Sequence, residues 1–188
     1  LEHAHDVVGG AMRVDVDDPA HMSPTEAFEV VFAFRNANYV EAKGFTVTAS
    51  MFVRRNVFDT VGPFRTGVSE DVDWCRRALK LGFNLGYAPK SVAGHPGRRT
   101  WSELERKLHR QMSESYALYR ELPLGWLRWE ARSWLILLSI VPHLVYIFLT
   151  RKLFTLRDRV NAALILFRAR WLRFIAAHRL AFRRGRRE

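Results

Sequence analysis

Three carboxylates crowd the stretch Ser69-Glu70-Asp71-Val72-Asp73-Trp74-Cys75-Arg76-Arg77, at the predicted start of a helix. Side chains of this type do proton-transfer chemistry when neighbouring acids raise the proton affinity of one of them. The same residues also suit a surface helix, because acids in a first turn oppose the helix dipole. Ser69 is expected to cap the helix, and Gly82 to end it beyond Ala78, Leu79 and Leu81. Cys75, the single cysteine of the chain, excludes an internal disulfide and a cysteine-cluster metal site. No electropositive neighbour adjoins it, so burial is expected rather than nucleophilic work.

The elements that must position this stretch can be read along the chain. Val7–Val14 is a predicted strand with the glycine pair Gly9-Gly10, followed by a polar loop. Ser23-Pro24-Thr25-Glu26 has capping-box spacing and opens a helix expected to reach about Asn36. Phe45–Val53 is β-rich, and Arg54–Gly62 reads as a short helix closed by glycine. Beyond the acidic helix, Asn84–Ala88 and Ser91–Ala93 are predicted extended pieces separated by Pro89. Thr100-Trp101-Ser102-Glu103 is a second capping box, starting a helix expected to last until about Leu122, with Pro123 as its stop.

Charge divides the 188 residues unevenly. Residues 151 to 188 carry a net +10 of the total +11, so the first 150 are electrostatically ordinary. Trp134–Thr150 is an uncharged, mostly apolar run of 17 residues interrupted by Pro142-His143, at the short limit for a membrane-spanning helix. From Val160 onward a helical period aligns Val160, Leu164, Phe167, Trp171, Phe174, Ile175, His178 and Phe182, with Arg168, Arg173, Arg179 and Arg183 elsewhere on the wheel. That pattern fits a helix lying in a membrane interface with arginines toward anionic headgroups. Packing on the globular domain and capture in a calmodulin-like groove remain alternatives, whereas nucleic acid is not expected, since the apolar stripe would then face water. The first residues show no charged leader with an apolar core, and the chain lacks a starting Met, so truncation upstream of Leu1 is expected.

Three motifs stand in order: Thr46-Val47-Thr48-Ala49-Ser50-Met51-Phe52-Val53-Arg54-Arg55, Val57-Phe58-Asp59-Thr60-Val61-Gly62-Pro63-Phe64, and Ser69–Arg77, followed by Tyr87-Ala88-Pro89 and His95-Pro96. Over about Val7 to Arg110 this succession resembles the second half of family 2 glycosyltransferases. The resemblance implies an α/β chain with a partial GT-A, Rossmann-like domain over residues 1–122. Residues 123–188 would then be a C-terminal helical, membrane-associated extension.

What the resemblance implies is inverting transfer of a sugar from a nucleotide-sugar donor to a hydroxyl of a lipid-linked or polysaccharide acceptor. Asp71 would be the general base and Glu70 its supporting acid, with Asp73 a more distant or helix-surface group. Trp74 would line the acceptor side or else pack in the core. His95 would help hold Mg2+ or Mn2+ on the donor diphosphate, and Arg98 would meet phosphate oxygens or be solvated. Ser50 stands where relatives often carry asparagine, in a loop that touches donor or acceptor. The nucleotide-binding half with its metal-binding D-x-D is expected before Val7. Asp15-Val16-Asp17 has those letters but follows the glycine-bearing strand, which in relatives comes after the true motif. A cytosolic donor places the expected enzyme on the cytoplasmic face of the cell membrane, as a peripheral or monotopic protein. The alternatives are a non-catalytic membrane-associated remnant and a basic adaptor.

Overall fold

A computed structural model describes residues 5–182; the expected arginine at position 183 and the first four residues lie outside the described residues. The chain divides into two compact units, one made of the stretch up to Asp15 with Phe34–His95, the other of Val16–Ala33 with the chain from Pro96 onward. This departs from the expected boundary at residue 122. The helices opened by the two capping boxes, assigned from sequence to the catalytic half, build the core of the helical unit instead.

The first unit is mixed α/β. Its sheet has three strands, ordered β2-β1-β3, from β1 (Val7–Asp15), β2 (Met51–Val53) and β3 (Leu85–Pro96). β1 and β2 are antiparallel, with Val7 opposite Val53 and Gly9 opposite Met51, so the two do not form the parallel pairing of a Rossmann-like sheet. Helices α2 (Asn36–Lys43), α3 (Arg55–Val61) and α4 (Glu70–Lys80) complete the unit. Its core joins Val7, Val57, Val61, Trp74, Cys75 and Ala78.

Three expectations change here. α2 was not foreseen: its eight residues offer little apolar periodicity, and it is held by Asn36, whose side-chain amide donates to the Gly10 carbonyl and to Thr46 Oγ1. The β-rich stretch yields only the short β2, because Thr48–Ser50 winds into a 3-10 turn. The two extended pieces around Pro89 form one continuous strand, β3. The glycine pair of β1 is a packing requirement. A Cβ on Gly9 would sit 2.3 Å from Thr46 Oγ1, and one on Gly10 would sit 2.6 Å from the Ser91 carbonyl oxygen.

The second unit is helical: α1 (Pro24–Phe32), α5 (Trp101–Arg120), α6 (Gly125–Leu138), α7 (Ile140–Leu149) and α8 (Leu156–Phe182). Both capping boxes form as read, Ser23 with Glu26 and Thr100 with Glu103. The apolar run splits at Ser139, so Pro142 falls in the first turn of α7, where its missing N–H costs no hydrogen bond. Among the described residues no single helix is long and apolar enough to cross a membrane, although α6 and α7, bent by 40° at their junction, pass that test together.

α8 is the central helix of this unit. It buries Ala162, Ile165, Leu166, Ala169, Ala176 and Ala177 against α1, α5, α6 and α7. The stripe read from sequence falls on another face, leaving Val160, Leu164, Phe167, Trp171 and Phe182 exposed. Two of its arginines are engaged within the protein: Arg168 lies 4.0 Å over the Trp101 ring and Arg173 donates to Gln111.

Candidate active site

α4 turns its Asp73, Trp74 and Arg77 side chains onto the loop that leaves α3. Gly62 takes φ +84°, a backbone open to glycine, and the chain then doubles back through Pro63 and Phe64. Three successive carbonyls of this turn are held from α4: Arg77 donates to Val61 at 2.6 Å and Pro63 at 2.7 Å, and the Trp74 indole N–H donates to Gly62 at 2.9 Å. Asp73 completes the clamp by accepting from Arg65 at 2.9 Å and Arg77 at 3.0 Å. The N-terminal turn of α4 is thereby fixed, and Glu70 and Asp71 with it.

The three acids now separate by environment. Asp73 is 6% exposed and ion-paired to two arginines, so it is a buried structural group rather than one on the helix surface. Asp71 is half-buried, and its Oδ1 accepts the Val72 amide at 2.8 Å. Burial, followed by the Glu70 charge, pushes the Asp71 carboxyl above the ordinary range, against the lowering by the Val72 amide. Ser69 occupies the N-cap position, but its hydroxyl makes no capping hydrogen bond to the helix, a departure from the expectation. Asp71 itself accepts a first-turn amide instead.

Trp74 resolves to one of its two readings. It is fully buried, stacked at 5.9 Å on Phe58 and 5.7 Å from Phe64, so no ring face is open to a sugar. Cys75 is buried too, and burial drives its thiol up to about 11, with the Asp71 charge adding to the effect. The Thr46 backbone acts to lower the thiol against that burial, which sets the start of the Thr46–Ser50 loop beside α4, one turn from Asp71. At the loop's end Ser50 is 4% exposed, its Oγ lacks a hydrogen-bond partner, and it faces Gly10. A buried hydroxyl in that state is costly unless something completes it.

His95, half-buried at the end of β3, lies 5.3 Å from the Phe34 ring. Among the described residues no three His, Cys, Asp or Glu side chains gather as a metal site, so the residues present do not by themselves fit a divalent ion. Asp15 pairs with Arg13 at 2.8 Å, and Asp17 lies 3.8 Å from Arg99. Arg98 belongs to the helical unit, where its amide and guanidinium donate to Glu29 at 2.8 and 3.0 Å; its expected use on phosphate gives way to this internal pair. Lys107 donates to the same carboxylate at 2.8 Å, and the two cations hold Glu29, 1% exposed, below the usual carboxylate range against its burial. Sequence reasoning missed Glu29, because a lone acid inside a predicted helix carries no sign of burial.

Comparison with known proteins places one relative beside this geometry. Over 107 residues the chain is 29% identical to the glycosyltransferase AglE of Haloferax volcanii, a match covering 56% of this chain and 34% of that protein. The chain thus spans about a third of the length of the curated relative it matches. No protein-family model matches. No solved structure matches. A mixed α/β unit with a three-stranded sheet and C-terminal helices is compatible with part of a glycosyltransferase domain.

Proposed function

We propose that the chain is the C-terminal part of an inverting, family 2-like glycosyltransferase of GT-A fold, in which Asp71 is the general base. The acceptor hydroxyl gives its proton to the Asp71 carboxylate while its oxygen attacks the anomeric carbon. The bond to the nucleoside diphosphate breaks on the opposite face, and the configuration inverts. The observation that carries this reading is the upward displacement of the Asp71 carboxyl by burial and by Glu70, which makes it a stronger base than an ordinary aspartate. Ser50, with its unsatisfied buried hydroxyl, is the proposed donor or acceptor contact. A Mg2+ or Mn2+ ion remains part of the proposal only through the resemblance, with His95 as the side chain to reach it.

The test is Asp71→Asn in a chain extended by the upstream half that the resemblance calls for. Turnover should fall by about 10^2- to 10^4-fold while donor binding survives, the range for loss of a general base. Turnover within tenfold of wild type removes Asp71 from the role.

The same proposal puts the protein on the cytoplasmic face of the cell membrane, as a peripheral or monotopic protein with a lipid-linked or polysaccharide acceptor. Large exposed apolar side chains on α6, α7 and α8 support it, Trp134, Leu138, Val141, Leu149, Leu164 and Trp171 among them. Trp134 of α6 meets Phe174 of α8 at 4.8 Å, and Phe174 stacks on Trp171, so this surface is continuous between the two helices. Lying along the interface suits it better than crossing, since α6 and α7 both pack against α8, which carries arginines along its length.

A further inference from the structure

The corner between α7 and α8 combines two features that water alone does not require. Its side chains are apolar and turned outward: Leu149, Phe154 and Leu156 are 75%, 87% and 70% exposed. Its backbone is partly bonded within the protein. A helix end leaves its last carbonyls without intrahelical donors, and on a wet surface water satisfies them. Here the Arg159 guanidinium donates to four carbonyls, those of Ile147 (2.8 Å), Phe148, Thr150 (3.0 Å) and Leu153 (2.8 Å). Thr155 and Asp158 close the start of α8 with reciprocal hydrogen bonds, and Lys152 donates to the Val30 carbonyl.

Each carbonyl bonded within the protein lowers the cost of bringing irregular chain to the headgroup boundary of a bilayer. We propose that this corner is an insertion tip. Leu149, Phe154 and Leu156 enter the acyl boundary of an anionic bilayer, Arg151 and Arg157 meet its headgroups, and Arg159 holds four of the turn's carbonyls. The net +10 of residues 151–188 selects an anionic surface over a neutral one. The inference rests on the membrane attachment proposed above and adds which residues go in.

The native Cys75 is buried, so a thiol introduced at the corner is labelled selectively. Phe154→Cys and Arg110→Cys variants of the 188-residue chain, carrying an environment-sensitive fluorophore, are mixed with vesicles of phosphatidylglycerol and phosphatidylcholine. The label at 154 should shift to the blue and be quenched by bromine on the acyl chains; the label at 110, on an exposed position of α5, should do neither. Co-sedimentation with an unshifted label at 154 overturns the tip and leaves membrane attachment standing. Failure to sediment with any vesicle overturns both. A shift at 154 already present without vesicles means that another polypeptide surface covers the corner, and overturns the tip. As an independent measure, Phe154→Asp should weaken vesicle partition by about ten- to hundredfold, the loss expected for one buried phenyl ring. Its thermal unfolding should be unchanged, because the ring is 87% exposed. Unchanged partition overturns the proposal.

Discussion

Asp71 and Asp73 lie two residues apart in one helical turn, and their replacement by asparagine should move stability in opposite directions. Asp73 accepts from Arg65 at 2.9 Å and Arg77 at 3.0 Å while 6% exposed. Hydrogen bonds between charged groups are worth about 1.5–3 kcal/mol each. The Arg65 side chain is 46% exposed and regains water when released, so its share is discounted; that of Arg77 is 29% exposed and keeps its carbonyl partners. The expected loss is about 2–4 kcal/mol, or roughly 5–15 °C in Tm for a chain of this size. Asp71→Asn preserves the acceptor for the Val72 amide and removes a charge that the fold disfavours. A carboxyl whose folded pKa is raised contributes stability that is fully present below the unfolded value, near 3.8, and lost as pH rises through the folded value. Asp71→Asn should therefore melt at or above the wild-type temperature at pH 7, with the gap closing as the pH falls toward 4. Thermal unfolding followed by circular dichroism in matched buffers reads both effects. A loss for Asp71→Asn as large as that for Asp73→Asn would make Asp71 a structural cap and refute the division of roles.

Two further outcomes follow from the packing around the same helix. Gly10→Ala should lower stability by about 1–3 kcal/mol in urea unfolding, the usual cost of overpacking; Ser50→Gly should not rescue it, because the Ser91 carbonyl at 2.6 Å remains in the way. With its thiol near 11, Cys75 is only about one thousandth thiolate at pH 8, so it should react with a thiol reagent slowly in the folded chain and promptly in denaturant. Prompt reaction of the folded chain would contradict the burial.

Local signals carried furthest from sequence to structure. The boxes at Ser23 and Thr100 and the glycine stop at Gly62 were legible because each is decided within a few residues. α2 was not, since its anchor is the distant Gly10 carbonyl reached by Asn36, a contact that no short window contains. α8 is legible as a helix from its period, but its buried face is not, because the bulky stripe dominates the pattern. Alanine is weakly apolar by scale yet allows the closest helix approach, so Ala162, Ala169, Ala176 and Ala177 join Ile165 and Leu166 in the buried seam, while Leu164, Phe167 and Trp171 remain outside. Trp74 had two readings from sequence; Phe58 and Phe64, brought in by the Gly62 turn, are what enclose it.

The candidate base was legible as one acid among three, and only its surroundings distinguish it. All three acids stand in the first turn of α4, at the same end of its helix dipole. That shared position cannot assign different roles to Glu70, Asp71 and Asp73. What differs is the compensation each receives: Asp73 has two guanidinium groups, whereas Asp71 is acted on chiefly by burial, one amide and the repulsive Glu70 charge. Asp73 is buried and taken up by its two arginines, so it is not open to an acceptor hydroxyl. A carboxylate that is partly desolvated and set beside a like charge gains proton affinity. The arginines on Asp73 also hold the Val61–Arg65 turn against α4. One acid fixes the helix end, and fixing that end holds its neighbour half-buried, with no cation paired to it among the described residues.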